Sequence, residues 1–126
     1  MSVAEDIASA LKIRGLLLRG GFHTLADDGL PEGEGTVLMV GNAGPDLWRV
    51  FPHAPEASDG QPNGLDRWTR RVMGELARAF GARAVLPFDG PPYAPFQRWA
   101  QRAEPVYPSP IGILIHPDYG LWHAYR

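Results

Sequence analysis

Residues 111–126, IGILIHPDYGLWHAYR, set an apolar β-branched run, a Pro-Asp-Tyr-Gly break and a second run with an aromatic ring on alternate positions, His123 and Tyr125. Two such runs about a turn cluster predict antiparallel strands joined as a hairpin. Pro117 fixes φ near −65° and removes a donor. Asp118 can bond the backbone just downstream of it, and Gly120 tolerates positive φ. The first arm is apolar at nearly every position, which predicts a strand covered on both faces. His116 is the one polar group this arm delivers to the rim.

Upstream, helices and strands interleave. Ser2 with Glu5 forms a capping-box start, and Val3, Ile7, Ala10 and Leu11 continue a helix. The Gly20-Gly21 pair is the expected stop for that helix. Phe22–Leu25 and Thr36–Val40 are strand candidates, the second leading into Gly41-Asn42-Ala43-Gly44-Pro45 and a short helix, Asp46–Phe51. Leu65, Trp68, Val72, Leu76, Ala79 and Phe80 recur at helical spacing, opened by Asn63 or Asp66 and closed by Gly81. Ala84–Phe88 is a strand whose Pro87 places it at an edge or an end. Pro95–Ala103 is a short amphipathic helix, and 104–110 runs extended into the hairpin. A terminal hairpin is foreign to a doubly wound parallel sheet. The expected fold is therefore α+β, a mostly antiparallel sheet flanked by helices, in a single domain over 1–126.

Composition excludes several chemistries. The 126 residues contain no cysteine, so this chain by itself forms no disulfide, thiolate zinc site, cysteine nucleophile or iron–sulfur cluster. A net charge of −2 gives no overall pull toward nucleic acid. Arg67, Arg70, Arg71 and Arg78 share a helix face, read as a solvated exterior paired with Glu75 and Asp66. No apolar run reaches the roughly 20 residues of a membrane span, and the acidic start Met1–Asp6 is unlike a signal peptide. A cytoplasmic protein without a membrane partner is expected. Gly-x-Ser-x-Gly, His-Glu-x-x-His and the phosphate-loop patterns are absent. The four histidines never fall at i, i+4, so a metal site would have to assemble across loops, with His116 and His123 facing each other over the turn.

The order strand, His-Pro-x-Tyr-Gly, strand, with a following Trp and Arg, is carried by Gly112, Ile115, His116, Pro117, Gly120, Trp122 and Arg126. It resembles the core hairpin of the cobalamin-processing proteins of methylmalonic aciduria and homocystinuria type C. More loosely it resembles the N-terminal domain of epoxyqueuosine reductases and reductive dehalogenases. The resemblance implies a nitroreductase-like fold that holds a corrinoid with its lower base displaced and passes reducing equivalents to it. By position, His116 and the Pro117–Gly120 turn, Tyr119 included, would line the cobalamin pocket, with Trp122 and Tyr107 as floor and wall. Those relatives are longer, and the reductases carry a cysteine-rich module. The chain is accordingly expected to be the N-terminal part of a longer product, with a [4Fe–4S] segment beyond Arg126.

These features leave two function classes. One is a corrinoid-binding redox domain served by an electron-donor protein or by that downstream iron–sulfur module. The other is a non-catalytic scaffold or dimerisation domain, with a homodimer as one form. The corrinoid expectation turns on His116: its ring has to face a large cavity.

Overall fold

The computed structural model describes residues 2–30 and 35–126. Helix α1, Val3–Ile13, begins where the Ser2 hydroxyl accepts the Glu5 N–H at 3.1 Å. It ends at Gly15, not at Gly20-Gly21. With φ at 76°, Gly15 donates to the Lys12 carbonyl and Leu16 donates to that of Leu11, both at 3.0 Å. These paired bonds satisfy the last carbonyls of the helix, and Leu16 packs in the same core as Leu11.

The glycine pair lies instead inside strand β1, Leu17–His23. Its neighbour β2, Thr36–Ala43, runs antiparallel, with Leu18 opposite Val40 and Gly21 opposite Leu38. Arg19 and Gly20 therefore face the single residue Met39, which is a β-bulge. Gly20 takes φ 83°, and a Cβ there would lie 2.5 Å from the Ala103 carbonyl oxygen. Only glycine fits both demands. Bulges of this kind re-aim a side chain, and the one re-aimed here is Arg19.

Strand β2 is the centre of the sheet. The order is β1-β2-β5, all antiparallel, with β5 spanning His123–Tyr125. Alternate β2 side chains enter two different cores. Val40 packs with Leu11, Leu16, Leu47, Trp68 and Val72, beneath α1, α2 (Asp46–Val50) and α3 (Gly64–Ala79). Met39 packs with Trp99, Ala100, Val106 and Leu114, around α4 (Phe96–Ala103) and the segment after it. The result is an α+β domain, a small antiparallel sheet flanked by helices.

Helix α3 follows its periodicity and closes at Gly81, where Ala82 donates to the Ala77 carbonyl at 2.8 Å. Three of its four arginines are paired, though mostly with carboxylates outside the helix. Arg67 meets Asp59, Arg70 meets Asp89, and Arg71 meets Glu56 as well as Glu75. Asp66 takes none of them. Among the described residues, no helix is long and apolar enough to cross a membrane.

Three further expectations are corrected. Ala84–Phe88 runs without a ladder partner. More consequentially, the arms of the terminal hairpin separate. Strand β4, Leu114–Ile115, pairs with β3, Tyr107–Pro108, in a sheet of its own, while β5 joins β2. Only the turn between them is closed, by mutual His116 and Gly120 backbone bonds of 2.9 Å. Nor is the first arm covered on both faces, since Ile111 is 76% exposed and Ile113 is exposed as well. Gly41 supplies the reason that β5 goes to β2. The Ala124 carbonyl oxygen lies 2.2 Å from the place a Gly41 Cβ would occupy, so the strands meet only over a bare Cα.

Gly41→Ala is accordingly expected to force β5 off β2 and to lower stability by about 1–3 kcal/mol, the usual penalty for overpacking. Urea unfolding checks this; an unchanged midpoint would mean that the strand contact tolerates a methyl group.

Candidate functional site

The bulge sends Arg19 beneath the terminal turn, where its side chain is only 2% exposed. Glu104, the C-cap of α4, comes from the opposite side. Arg19 grips it with two groups. Nε donates to Glu104 Oε1 at 2.9 Å, and Nη2 donates to Oε2 at 2.9 Å. Nη2 also faces His123 Nδ1 at 3.1 Å and donates to the Tyr125 hydroxyl at 3.3 Å. That hydroxyl donates in turn to Glu104 Oε2 at 2.8 Å. Nη1 reaches the Ala124 carbonyl at 3.4 Å. The guanidinium lies over the Tyr125 ring, 4.4 Å from its centroid. A buried ion is tolerable only when its remaining donors are satisfied, and here β5 satisfies them.

Both histidines of the turn belong to this cluster. His123 Nδ1 faces a guanidinium donor, so it carries the lone pair; Nε2–H then donates to the Leu114 carbonyl at 3.1 Å. Burial, and secondarily the Arg19 and His116 charges, lower its pKa from the ordinary 6.5. Burial and the hydrogen bond to Glu104 push the Tyr125 phenol well above its ordinary range. His116 is 9% exposed. Its Nδ1 accepts the backbone N–H of Asp118 at 2.9 Å and of Tyr119 at 3.2 Å, and its Nε2 lies 3.9 Å from Glu104 Oε1. The ring stacks on Tyr119 with centroids 4.4 Å apart, and the two imidazoles approach to 5.8 Å across the turn.

The six residues singled out in the sequence thus divide. His116 points inward. Tyr107, Pro117, Tyr119 and Trp122 are exposed on the outer side, and Gly120, with φ 61°, closes the turn between them. Trp122 is the extreme case at 79% exposed.

Two hollows are nearby, and His116 lines neither. A shallow one of about 380 Å³ is lined by Trp48, Trp122, Pro45, Asn42, His123 and Ala124. A larger apolar groove of about 530 Å³ runs between α3 and α4 past Met73, Phe80, Val85, Phe96 and Trp99. Arg126 lies along it, its Nε donating to Asn42 Oδ1 at 3.0 Å. Among the described residues, no three His, Asp or Glu side chains converge as a metal site.

No family model matches the chain, and neither a curated protein nor a solved structure matches it.

Sequence reasoning passes over Arg19, Glu104, Tyr125 and Trp48. A signal for Arg19 is present: one charge between Leu16-Leu17-Leu18 and two glycines is costly unless a partner waits for it. Nothing local points to Glu104.

Arg19→Met is expected to cost about 3–5 kcal/mol by leaving Glu104 buried and unpaired, whereas Arg19→Met with Glu104→Met recovers much of the loss. Urea unfolding of the two variants separates pairing from packing. A second expectation concerns pH. A histidine whose folded pKa lies below its unfolded 6.5 binds fewer protons when folded. It stabilises fully above that unfolded value, and the contribution disappears as pH falls through the folded one. Thermal melts should therefore weaken on acidification from neutrality, and His123→Gln should flatten the slope.

Proposed function

We propose that this chain is a non-catalytic scaffold domain, of nitroreductase-like type, whose exposed apolar edge seats a [4Fe–4S] ferredoxin-type module. The observation that carries this reading is the contrast across residues 107–122. Tyr107, Ile111, Ile113, Tyr119, Leu121 and Trp122 are all exposed on one stretch of chain. Beneath that stretch, Arg19, Glu104 and both histidines are locked in hydrogen bonds. A rigidly backed apolar edge of this kind is a feature of protein interaction surfaces. The cluster itself has to come from elsewhere, since the chain holds no cysteine. The family resemblance supplies the kind of module.

A second reading, corrinoid binding, retains one support. Trp48 and Trp122, 54% and 79% exposed, line an open hollow together with Asn42 and His123. A flat macrocycle needs such apolar walls and a few polar groups. At about 380 Å³ the hollow is near the small end of the roughly 300–1,000 Å³ range for drug-sized ligands. A corrinoid would lie across its mouth. Neither imidazole is available to cobalt, because His123 uses both nitrogens and His116 Nδ1 is occupied by two amides. The displaced lower base would have no histidine replacing it.

Two measurements separate these readings. Protein isolated from its native source should carry stoichiometric iron and sulfide, with an intact mass above 13.8 kDa or a tightly held partner. Iron-free protein of that mass with no partner would overturn the scaffold reading. Hydroxocobalamin and cob(II)alamin added at tens of micromolar should leave the visible spectrum unchanged. A base-off spectrum that is lost in Trp122→Ala would establish the corrinoid reading instead.

A further inference from the structure

We propose that the His116–Gly120 turn is a proton-operated latch, closed when His116 is neutral and released when the imidazole takes a second proton. The hydrogen bonds of the turn itself carry it, whatever the edge binds. Two backbone donors, the N–H groups of Asp118 and Tyr119, converge on the single lone pair of His116 Nδ1 at 2.9 and 3.2 Å. Nδ1 therefore carries no hydrogen in the closed turn, and the ring hydrogen sits on Nε2, facing Glu104.

A second proton has one place to go. It binds Nδ1, where it consumes the lone pair and sets three N–H dipoles against one another. Both amide bonds are lost together, and with them the reason for residues 117–119 to fold back over the ring. The surrounding charges fix the direction in which the ring then moves. Glu104, 3.9 Å from Nε2, draws an imidazolium inward and away from the amides. Arg19, held by Glu104, opposes the positive charge, while His123, 5.8 Å away on β5, is neutral with its Nδ1 lone pair turned to that guanidinium. The Tyr125 hydroxyl stays with Glu104, the Tyr119 ring stacks on the imidazole face, and the Asp118 side chain is exposed in the turn. The balance of these groups sets the pH of release. The opening itself results from the occupied lone pair.

The consequence reaches the exposed edge. Tyr119 is held to the imidazole by the 4.4 Å stack, and Trp122 is tied to Tyr119 by a backbone bond of 2.9 Å from its N–H to the Tyr119 carbonyl. The mutual His116–Gly120 bonds remain as the hinge. Release of the latch frees Tyr119 and lets Trp122 move with it.

The test is a pH titration followed by ¹⁵N–¹H spectra over about pH 8 to pH 5. At the upper end, His116 should show a bare Nδ1 and a protonated Nε2. The Asp118 and Tyr119 amides should then shift with the same midpoint as the His116 ring nitrogens. The protection of each against hydrogen exchange, corrected for intrinsic pH dependence, should fall by about tenfold, as expected for one ordinary hydrogen bond lost at each amide. In His116→Asn the side-chain oxygen can accept the same two amides and does not titrate, so the amide response should vanish. An Nδ1-protonated ring at neutral pH would overturn the latch. So would amides that ignore the His116 midpoint, or a response that persists in His116→Asn.

Discussion

The buried pair of Arg19 and Glu104 is the contact through which every element of the site is joined. Arg19 comes from β1, Glu104 from the end of α4, and the groups that complete the pair, His123, Tyr125 and the Ala124 carbonyl, from β5. Such a pair gains little over a well-packed apolar substitute, because desolvation offsets most of the attraction. Its effect is on specificity. An unsatisfied guanidinium at that depth is so unfavourable that any arrangement leaving β5 elsewhere is penalised, and β5 is thereby directed to the open edge of β2. Gly41 makes the docking sterically feasible, and Arg19 makes the alternatives expensive.

This division explains how much can be read from the chain. Features whose cause lies within a few residues are legible. The Ser2 cap, the periodicity and Gly81 stop of α3, the strand around Val40 and the turn at Pro117–Gly120 all appear at or near their expected places. Features whose cause is a distant approach are not. Gly20-Gly21 signals positive φ, but nothing nearby shows that the Ala103 carbonyl will press against Gly20, so the local pattern predicts a helix stop where the fold has a bulge. The two arms of the terminal turn each have strand character, yet alternation cannot say which edge a strand will join. Ala84–Phe88 has the composition of a strand and finds no partner.

The candidate site is legible in the same partial way. Its chain position, 107–122, is evident from the crowding of aromatic residues about a proline-glycine turn. Its sidedness is not. In the sequence His116 looks like the polar tip of an apolar strand, a group offered to a ligand. Its Nδ1 instead serves the backbone of its own turn, taking the part a side-chain oxygen plays in an Asx turn. The groups left facing outward are the apolar ones, and that inversion moves the functional reading from ligand chemistry toward contact with another surface.

The two imidazoles also differ in what their neutrality protects. His123 is kept neutral by burial and by the guanidinium beside it, so its proton would disturb the junction of β5 with Arg19. His116 bonds nothing beyond its own turn through Nδ1, so its proton would disturb Tyr119 and the residues after it while the junction stays bonded. One ring therefore belongs to the stability of the domain and the other to the shape of its edge. They lie 5.8 Å apart, close enough for a charge on either to disfavour a charge on the other.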